Sequence, residues 1–337
     1  MIGWWWPALV PAGLLPLGLL YQAWGAARDR RRYPAPGRRV NGLHVHVRGE
    51  HGPWVLLEAG IAASSASWRP VADLLAHDFR VISYDRAGFG WSDSRPGERG
   101  LPALVEDLRE ALDTAGADAP VILVGHSFGG LLARHFCARY PERVQALVLA
   151  DPLLPEEWRD APATQMERLA RGVRFARRGA LLARIGIVRL ALDLLIGGRT
   201  RLPRLMARAS SSARGEAVTN RLVEEVRKLP ADLWPVIRAH WCLPRSFRTL
   251  AAYLELLPAN CALPLDDAGL GGKPLVVITA ASAEARIREG HARLAALSGR
   301  GRHVVAEGSG HWVQLDRPDV IAQSCREITM EKDLPKE

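Results

Sequence analysis

Ser127 stands between glycines in "VGHSFGG", residues 124–130, directly after the apolar run Val121-Ile122-Leu123-Val124. Gly125-His126-Ser127-Phe128-Gly129 fits G-x-S-x-G, a pattern that holds a serine on a strained strand-to-helix turn with its Oγ lifted clear of the sheet. A hydroxyl is a poor nucleophile at neutral pH, so the chemistry of such a serine requires a neighbouring imidazole to take its proton. The chain has ten histidines. Of these His311, in "GSGH", lies in a glycine-rich loop free to aim its ring. His126 is next to the serine, but consecutive side chains in such a turn diverge, so it is expected to point away.

The elements that must position these residues follow from hydrophobic patterning. "RVNGLHVHVRG" sets Asn41-Gly42 between Val40 and an alternating Leu43, Val45, Val47, which predicts a two-residue hairpin. The same alternation puts His44 and His46 on the other strand face, as exposed residues rather than a metal pair. Short apolar runs then recur: "WVLLEAG" at 54–60, "RVISYD" at 80–85, "VILVGH" at 121–126, "ALVLAD" at 146–151, "PLVVITA" at 274–280 and "HVVAEG" at 303–308. Helical patterns at 102–116, 128–139, 284–298 and 318–330 separate them. Continuous β-rich runs alternating with helices predict a mostly parallel sheet covered on both faces. About 120 residues between Asp151 and Leu275 exceed a single crossover and predict a helical lid insertion.

These features together resemble the α/β-hydrolase fold serine hydrolases. The resemblance runs from about residue 38 to 330, on "LEAGIAASSASW", "YDRAGFGWSD", "VGHSFGGLLARHFCARYPERV", "LVLAD" and "GSGHWVQLDRP". More narrowly, "YPAPGRRV", "LEAG" and "YDRAGFGWSD" are similar to membrane-anchored bacterial-type members. The resemblance implies Ser127 as nucleophile and His311, after the last strand, as base. It implies an oxyanion hole from the backbone N–H groups of Phe128 and of Ile61, in the loop after "VLLEAG". It leaves two positions for the acid: Asp151 at the end of "LVLAD", favoured here, and Glu284 after "PLVVITA". In "YDRAGFGWSD", Asp85 with Gly88 and Gly90 reads as a structural turn. A serine at position 127 excludes the epoxide hydrolases and haloalkane dehalogenases of this fold, which use an aspartate there. What remains is acyl transfer, in an esterase, lipase, thioesterase or amidase, with an acyltransferase or a non-catalytic binding protein as alternatives.

From Ile2 to Ala27 no side chain is charged, and Trp4–Trp24 as a helix would be about 31 Å long, the thickness of a bilayer core. Trp4, Trp5 and Trp6 at one end and Tyr21 and Trp24 at the other suit the two interfaces. Residues 1–27 are therefore expected to form an N-terminal transmembrane anchor. The arginines of "RDRRRYPAPGRR" in the basic linker 28–39 place the catalytic domain on the cytoplasmic side, with export after signal cleavage the alternative. The expected domains are completed by a core of residues 40–151 and 273–330, a lid at 152–272 and a tail at 331–337. Within the lid Leu181, Leu182, Ile185, Val188, Leu192 and Leu195 recur at helical spacing, and Arg174, Arg177, Arg178, Arg184 and Arg189 supply positive charge; the stretch reads as a lid helix packed on the core, with contact with the membrane beside the anchor as the alternative. The net charge of +9 is spread along the chain, which gives little support to a nucleic-acid partner and leaves membrane surfaces and anionic substrates open. Cys137, Cys242, Cys261 and Cys325 are far apart and read as small buried hydrophobes. No cofactor or metal is expected, and the substrate is expected to be a small, lipophilic acyl compound.

Overall fold

A computed structural model of the protein describes residues 6–97, 99–196 and 228–333. The chain divides into two compact units, one of residues 35–169 and 252–337 and one of residues 1–34 and 170–251. The larger unit is built on one sheet in the order β1 (Arg38–Val40), β2 (Leu43–Arg48), β4 (Arg80–Asp85), β3 (Trp54–Glu58), β5 (Val121–His126), β6 (Val144–Ala150), β7 (Leu275–Ala280) and β8 (Gly301–Ala306). β1 and β2 are antiparallel, joined at Asn41 (φ 48°) and Gly42 (φ 79°), the left-handed pair that a two-residue hairpin requires. From β4 to β8 every neighbouring pair is parallel.

Burial explains why these runs are apolar at every position. Val55, Leu57, Ile122, Val124, Val148 and Ile278 pack on one sheet face with Trp68, with Val71 and Leu75 of α2 (Arg69–Leu75), and with Ile321 and Cys325 of α12 (Pro318–Asp333). Side chains alternate along a strand, so Leu56, Leu123, Leu147, Leu149 and Val277 face the other way, and they are equally inaccessible. α3 (Leu101–Ala115), α4 (Phe128–Arg139) and α10 (Ala285–Ala295) complete the cover. Two expectations for β2 are corrected. His44 is fully buried, its Nδ1 on Asp85 Oδ2 at 2.8 Å and its Nε2 donating to the Pro36 carbonyl at 2.6 Å, and His46 is half-buried. Both faces of this strand are covered near the hairpin, so alternation does not expose one of them.

The other unit holds α1 (Trp6–Arg32), most of α6 (Ala163–Arg184), α7 (Ile187–Ile196), α8 (Trp234–Trp241) and the start of α9 (Pro244–Ala262), while α5 (Glu156–Arg159) lies in the larger unit. α6 and α7 are separate helices, broken at Gly186 with φ 78°. Arg189, expected on the charged surface, is instead 2% exposed: its guanidinium donates to Gln22 Oε1 at 2.9 Å and Asp29 Oδ2 at 2.5 Å on α1. Asp29 also accepts from Arg238 at 2.5 Å, and Gln22 donates to the Cys242 carbonyl at 2.8 Å. The polar groups of α1 are thus what this unit buries, because a paired charge can be taken out of water where a lone one cannot. The expected span Trp4–Trp24 lies partly outside the described residues, as do residues 197–227 of the expected lid. Among the described residues no helix is long and apolar enough to cross a membrane. All four cysteines are free and buried.

Candidate active site

The carboxyl ends of β3, β5, β6, β7 and β8 converge, and each delivers one component. β5 ends at His126, and Ser127 follows with φ 53° and ψ −122°, a conformation that a residue with a Cβ rarely adopts. The strain is held by hydrogen bonds on both sides: the Ser127 N–H donates to the Ala150 carbonyl at 3.1 Å, and the Ser127 carbonyl accepts from Gly130 at 2.9 Å and Leu153 at 3.0 Å. The flanking glycines are required by close approach. A Cβ on Gly125 would lie 2.6 Å from the Gly129 carbonyl oxygen, and one on Gly129 would lie 2.5 Å from the carbonyl oxygen of Glu58. The two glycines therefore let the helix turn back against β5 and pass close to the end of β3.

Asp151 follows β6, itself at φ 43°, with its N–H on the Ile278 carbonyl at 2.7 Å. Its Oδ1 accepts from the Ala280 N–H at 3.0 Å, and its Oδ2 accepts from His311 Nδ1 at 2.6 Å. Burial alone would raise this carboxyl, but the His311 hydrogen bond and charge and the Ala280 amide outweigh it and hold it below the usual carboxylate range. With Nδ1 engaged, His311 presents Nε2 as the free ring nitrogen, on a side chain 45% exposed. Glu284 stands exposed at the head of α10 and is not the carboxylate on His311. Asp85 is structural, accepting from the amides of Ser65 at 2.7 Å and Trp91 at 2.9 Å.

Phe128 opens α4, so its N–H has no acceptor within the helix. Ile61 lies in the turn after β3, which comes close to Ser127: a Cβ on Gly60 would lie 3.3 Å from Ser127 Cβ. The Gly60 carbonyl accepts from the Ala63 N–H at 3.3 Å and from the Arg86 guanidinium. Because a trans peptide points its C=O and N–H in opposite directions, this fixes the Ile61 N–H away from Arg86.

Two residues that the sequence did not mark, Arg86 and Glu58, belong to this site. Arg86, 3% exposed, forms an ion pair with fully buried Glu58 at 3.6 Å, and its guanidinium lies over the rings of Phe128 (5.5 Å) and Tyr253 (5.0 Å). Burial pushes the Glu58 carboxyl up to about 7, against the opposing Arg86 charge and the Tyr84 hydroxyl it accepts from. His126 was expected to point away. It is buried, its ring 4.8 Å from that of His311, and its Nε2 donates to the His311 backbone carbonyl at 2.8 Å. Burial and the neighbouring His311 push it down to about 3, so it acts as a neutral strut for the loop that carries His311. Its position beside Ser127 was the only available signal.

A profile described as the alpha/beta hydrolase fold matches residues 53–318. The putative carbamate hydrolase RutD of Azorhizobium caulinodans is 33% identical over 109 residues, which are 32% of this chain and 40% of that protein. Epoxide hydrolase 2 of Siraitia grosvenorii is 39% identical over 113 residues, 32% of this chain and 35% of that one. The chain thus matches less than half the length of these curated relatives. Among solved structures, an enol-lactonase from Burkholderia xenovorans superposes with a TM-score of 0.57 at 22% identity, covering 88% of this chain and 100% of that one. A thermophilic esterase from Thermogutta terrifontis gives 0.54 at 22% identity, with 86% and 93% covered. These two similarities concern the fold.

Proposed function

The chain belongs to the alpha/beta hydrolase fold family, and from that premise we propose that it is a serine hydrolase cleaving a carboxylic ester, or a related lipophilic acyl compound, through an acyl-enzyme on Ser127. The observation that carries this reading is the strained Ser127 backbone bonded directly to the turn where Asp151 holds His311 Nδ1 at 2.6 Å. Ser127 Oγ attacks the acyl carbon while its proton passes to His311 Nε2. The oxyanion so formed takes the N–H groups of Phe128 and Ile61. The leaving alcohol departs with the proton from His311, and water, deprotonated by the same ring, then releases the acid and restores the serine.

The serine also argues against the epoxide-opening chemistry named for one relative. Attack of a hydroxyl on an epoxide carbon would leave an ether on the protein, which water does not cleave under these conditions. An acyl ester on the same oxygen hydrolyses readily. The test is a panel of acyl esters of varied chain length, run on wild type and Ser127→Ala, with a fluorophosphonate probe for the serine. Labelling at Ser127 and loss of turnover in the variant are expected. Equal hydrolysis by both proteins, or no labelling of folded protein, would overturn the assignment.

The same reading attaches the chain to a membrane through its charge-free N-terminal segment, with the catalytic unit on the cytoplasmic side, supported by the arginines that follow. A C-terminal tag digested by protease added outside intact cells would refute that orientation.

A further inference from the structure

α1 turns Gly18, Gln22, Gly25 and Asp29 into its own unit: Gly18 abuts the Ile185 carbonyl and Gly25 abuts the Arg189 side chain. The opposite side of the helix carries Leu17, Leu20 and Trp24, which are 62%, 66% and 62% exposed. Arg28 and Arg31, both exposed, continue that side, and the Arg28 guanidinium lies 5.6 Å over the Trp24 ring. At 1.5 Å per residue the stripe from Leu17 to Arg31 is about 21 Å long. It is aliphatic at one end, aromatic in the middle and cationic at the other, the order of groups that a helix meets at a bilayer interface.

α6 adds a second stripe in the same unit. Phe175, Leu181 and Leu182 are 61%, 67% and 39% exposed, with Arg174, Arg178 and Arg184 exposed among them. From Ala170 to Arg184 this helix has arginines but no acidic residue. The residues directly after its end meet α1: besides the Gly18 contact at Ile185, a Cβ on Gly186 would lie 2.8 Å from the Tyr21 ring. The α6 stripe therefore reaches α1 within one turn of Leu182. Exposed aliphatic and aromatic side chains interleaved with arginine, on convex helices rather than in a groove, complement a fluid anionic surface rather than a folded pocket.

We propose that this face of the unit formed by residues 1–34 and 170–251 docks on an anionic lipid bilayer. α1 lies along the interface, Leu17, Leu20, Phe175, Leu181 and Leu182 enter the acyl boundary, and the arginines sit on lipid phosphates. The surface uses residues 17–31 and 174–184; it requires α1 to lie in the interface rather than to cross the bilayer from Trp4 to Trp24, and it does not depend on the hydrolase chemistry.

The native cysteines are all buried, so the test labels new ones in the full chain with an environment-sensitive fluorophore, at Leu182→Cys and, as a control in the larger unit, at exposed Glu142→Cys. With vesicles containing phosphatidylglycerol, the label at 182 should shift to the blue and be quenched by lipid-borne quenchers, and the label at 142 should not. Phosphatidylcholine vesicles alone should give a far smaller shift. Replacing Arg174 and Arg178 by glutamine should weaken partitioning about 25-fold, about fivefold for each arginine. Three results would overturn the proposal: vesicle binding with no shift at 182, which assigns all binding to the N-terminal segment; the same shift in concentrated protein without lipid, which assigns the face to a second copy; or unchanged binding of the glutamine variant. Hydrolysis of a soluble ester, which none of these substitutions should alter, reads the catalytic assignment separately.

Discussion

Arg86 gives the sharpest test of how the oxyanion site is built. Its guanidinium holds the Gly60 carbonyl and so orients the Ile61 N–H, while its charge is matched by Glu58 at 3.6 Å with both side chains buried. Removing Arg86 alone would take from Glu58 the charge that opposes the effect of its burial, so the carboxyl would keep its proton and any lost rate would mix that change with the loss of the Gly60 donor. The informative perturbation is Glu58→Gln with Arg86→Met in one chain, which removes both charges at nearly constant volume and should cost only about 1 kcal/mol, the Gly60 hydrogen bond. Freed from Arg86, the Gly60–Ile61 peptide keeps the Ala63 contact at 3.3 Å but loses its strong donor. One oxyanion donor is worth about 2.7–4 kcal/mol, so kcat should fall by about 10²–10³-fold with KM nearly unchanged, because the donor acts on charge that develops only in the transition state. Steady-state rates on a short acyl ester, with urea midpoints to show that the variant is folded, provide the assay. A folded double variant whose kcat stays within about threefold of wild type would refute the reasoning.

Asp151→Asn should lower kcat by about 10⁴-fold, since an amide cannot fix or charge-stabilise the His311 ring as a carboxylate does, whereas Glu284→Gln should leave the ester rate unchanged. Gly129→Ala should destabilise the fold by about 1–3 kcal/mol, read as a lower urea midpoint, because its methyl group would press on the Glu58 carbonyl at 2.5 Å. The pH dependence of stability has two opposed parts. His126, about 3 in the fold and 6.5 unfolded, leaves the unfolded chain binding the extra proton, so stability falls as the pH drops from 6.5 towards 3, by up to about 1.4 kcal/mol per unit. Glu58, raised from 4.5 to about 7, holds its proton in the fold, so its contribution is present below 4.5 and is lost as the pH rises through 7. Urea midpoints should therefore be nearly level for wild type between pH 4.5 and 6.5, where the two parts cancel, but should fall with rising pH over that range in His126→Asn and rise with pH over it in Glu58→Gln. Parallel curves for variants and wild type would contradict both assignments.

Much of this protein was legible in its sequence where the cause is local. Alternating and continuous apolar runs located the strands, Asn41-Gly42 located the hairpin, and the glycines around Ser127 located the elbow, because backbone sterics and side-chain period act over a few residues. The expected helix 128–139 is α4 to the residue, whereas the one expected at 284–298 ends at Ala295. The family resemblance also placed His311, although it left Asp151 and Glu284 open.

Only the tertiary structure decided between them, since the choice depends on which carboxylate the β6 and β7 ends bring to a ring 160 residues away from Asp151. The same is true of His44, whose burial is set by Asp85 and Pro36, and of Arg189, which α1 draws inward through Gln22 and Asp29. A charged or polar side chain goes inside only where a distant partner satisfies it, and no local pattern encodes the partner. Sequence by itself therefore determined the order of elements and the turn that carries Ser127. The packing of distant segments determined what orients the His311 ring, what fixes the Ile61 amide, and which polar groups are taken out of water.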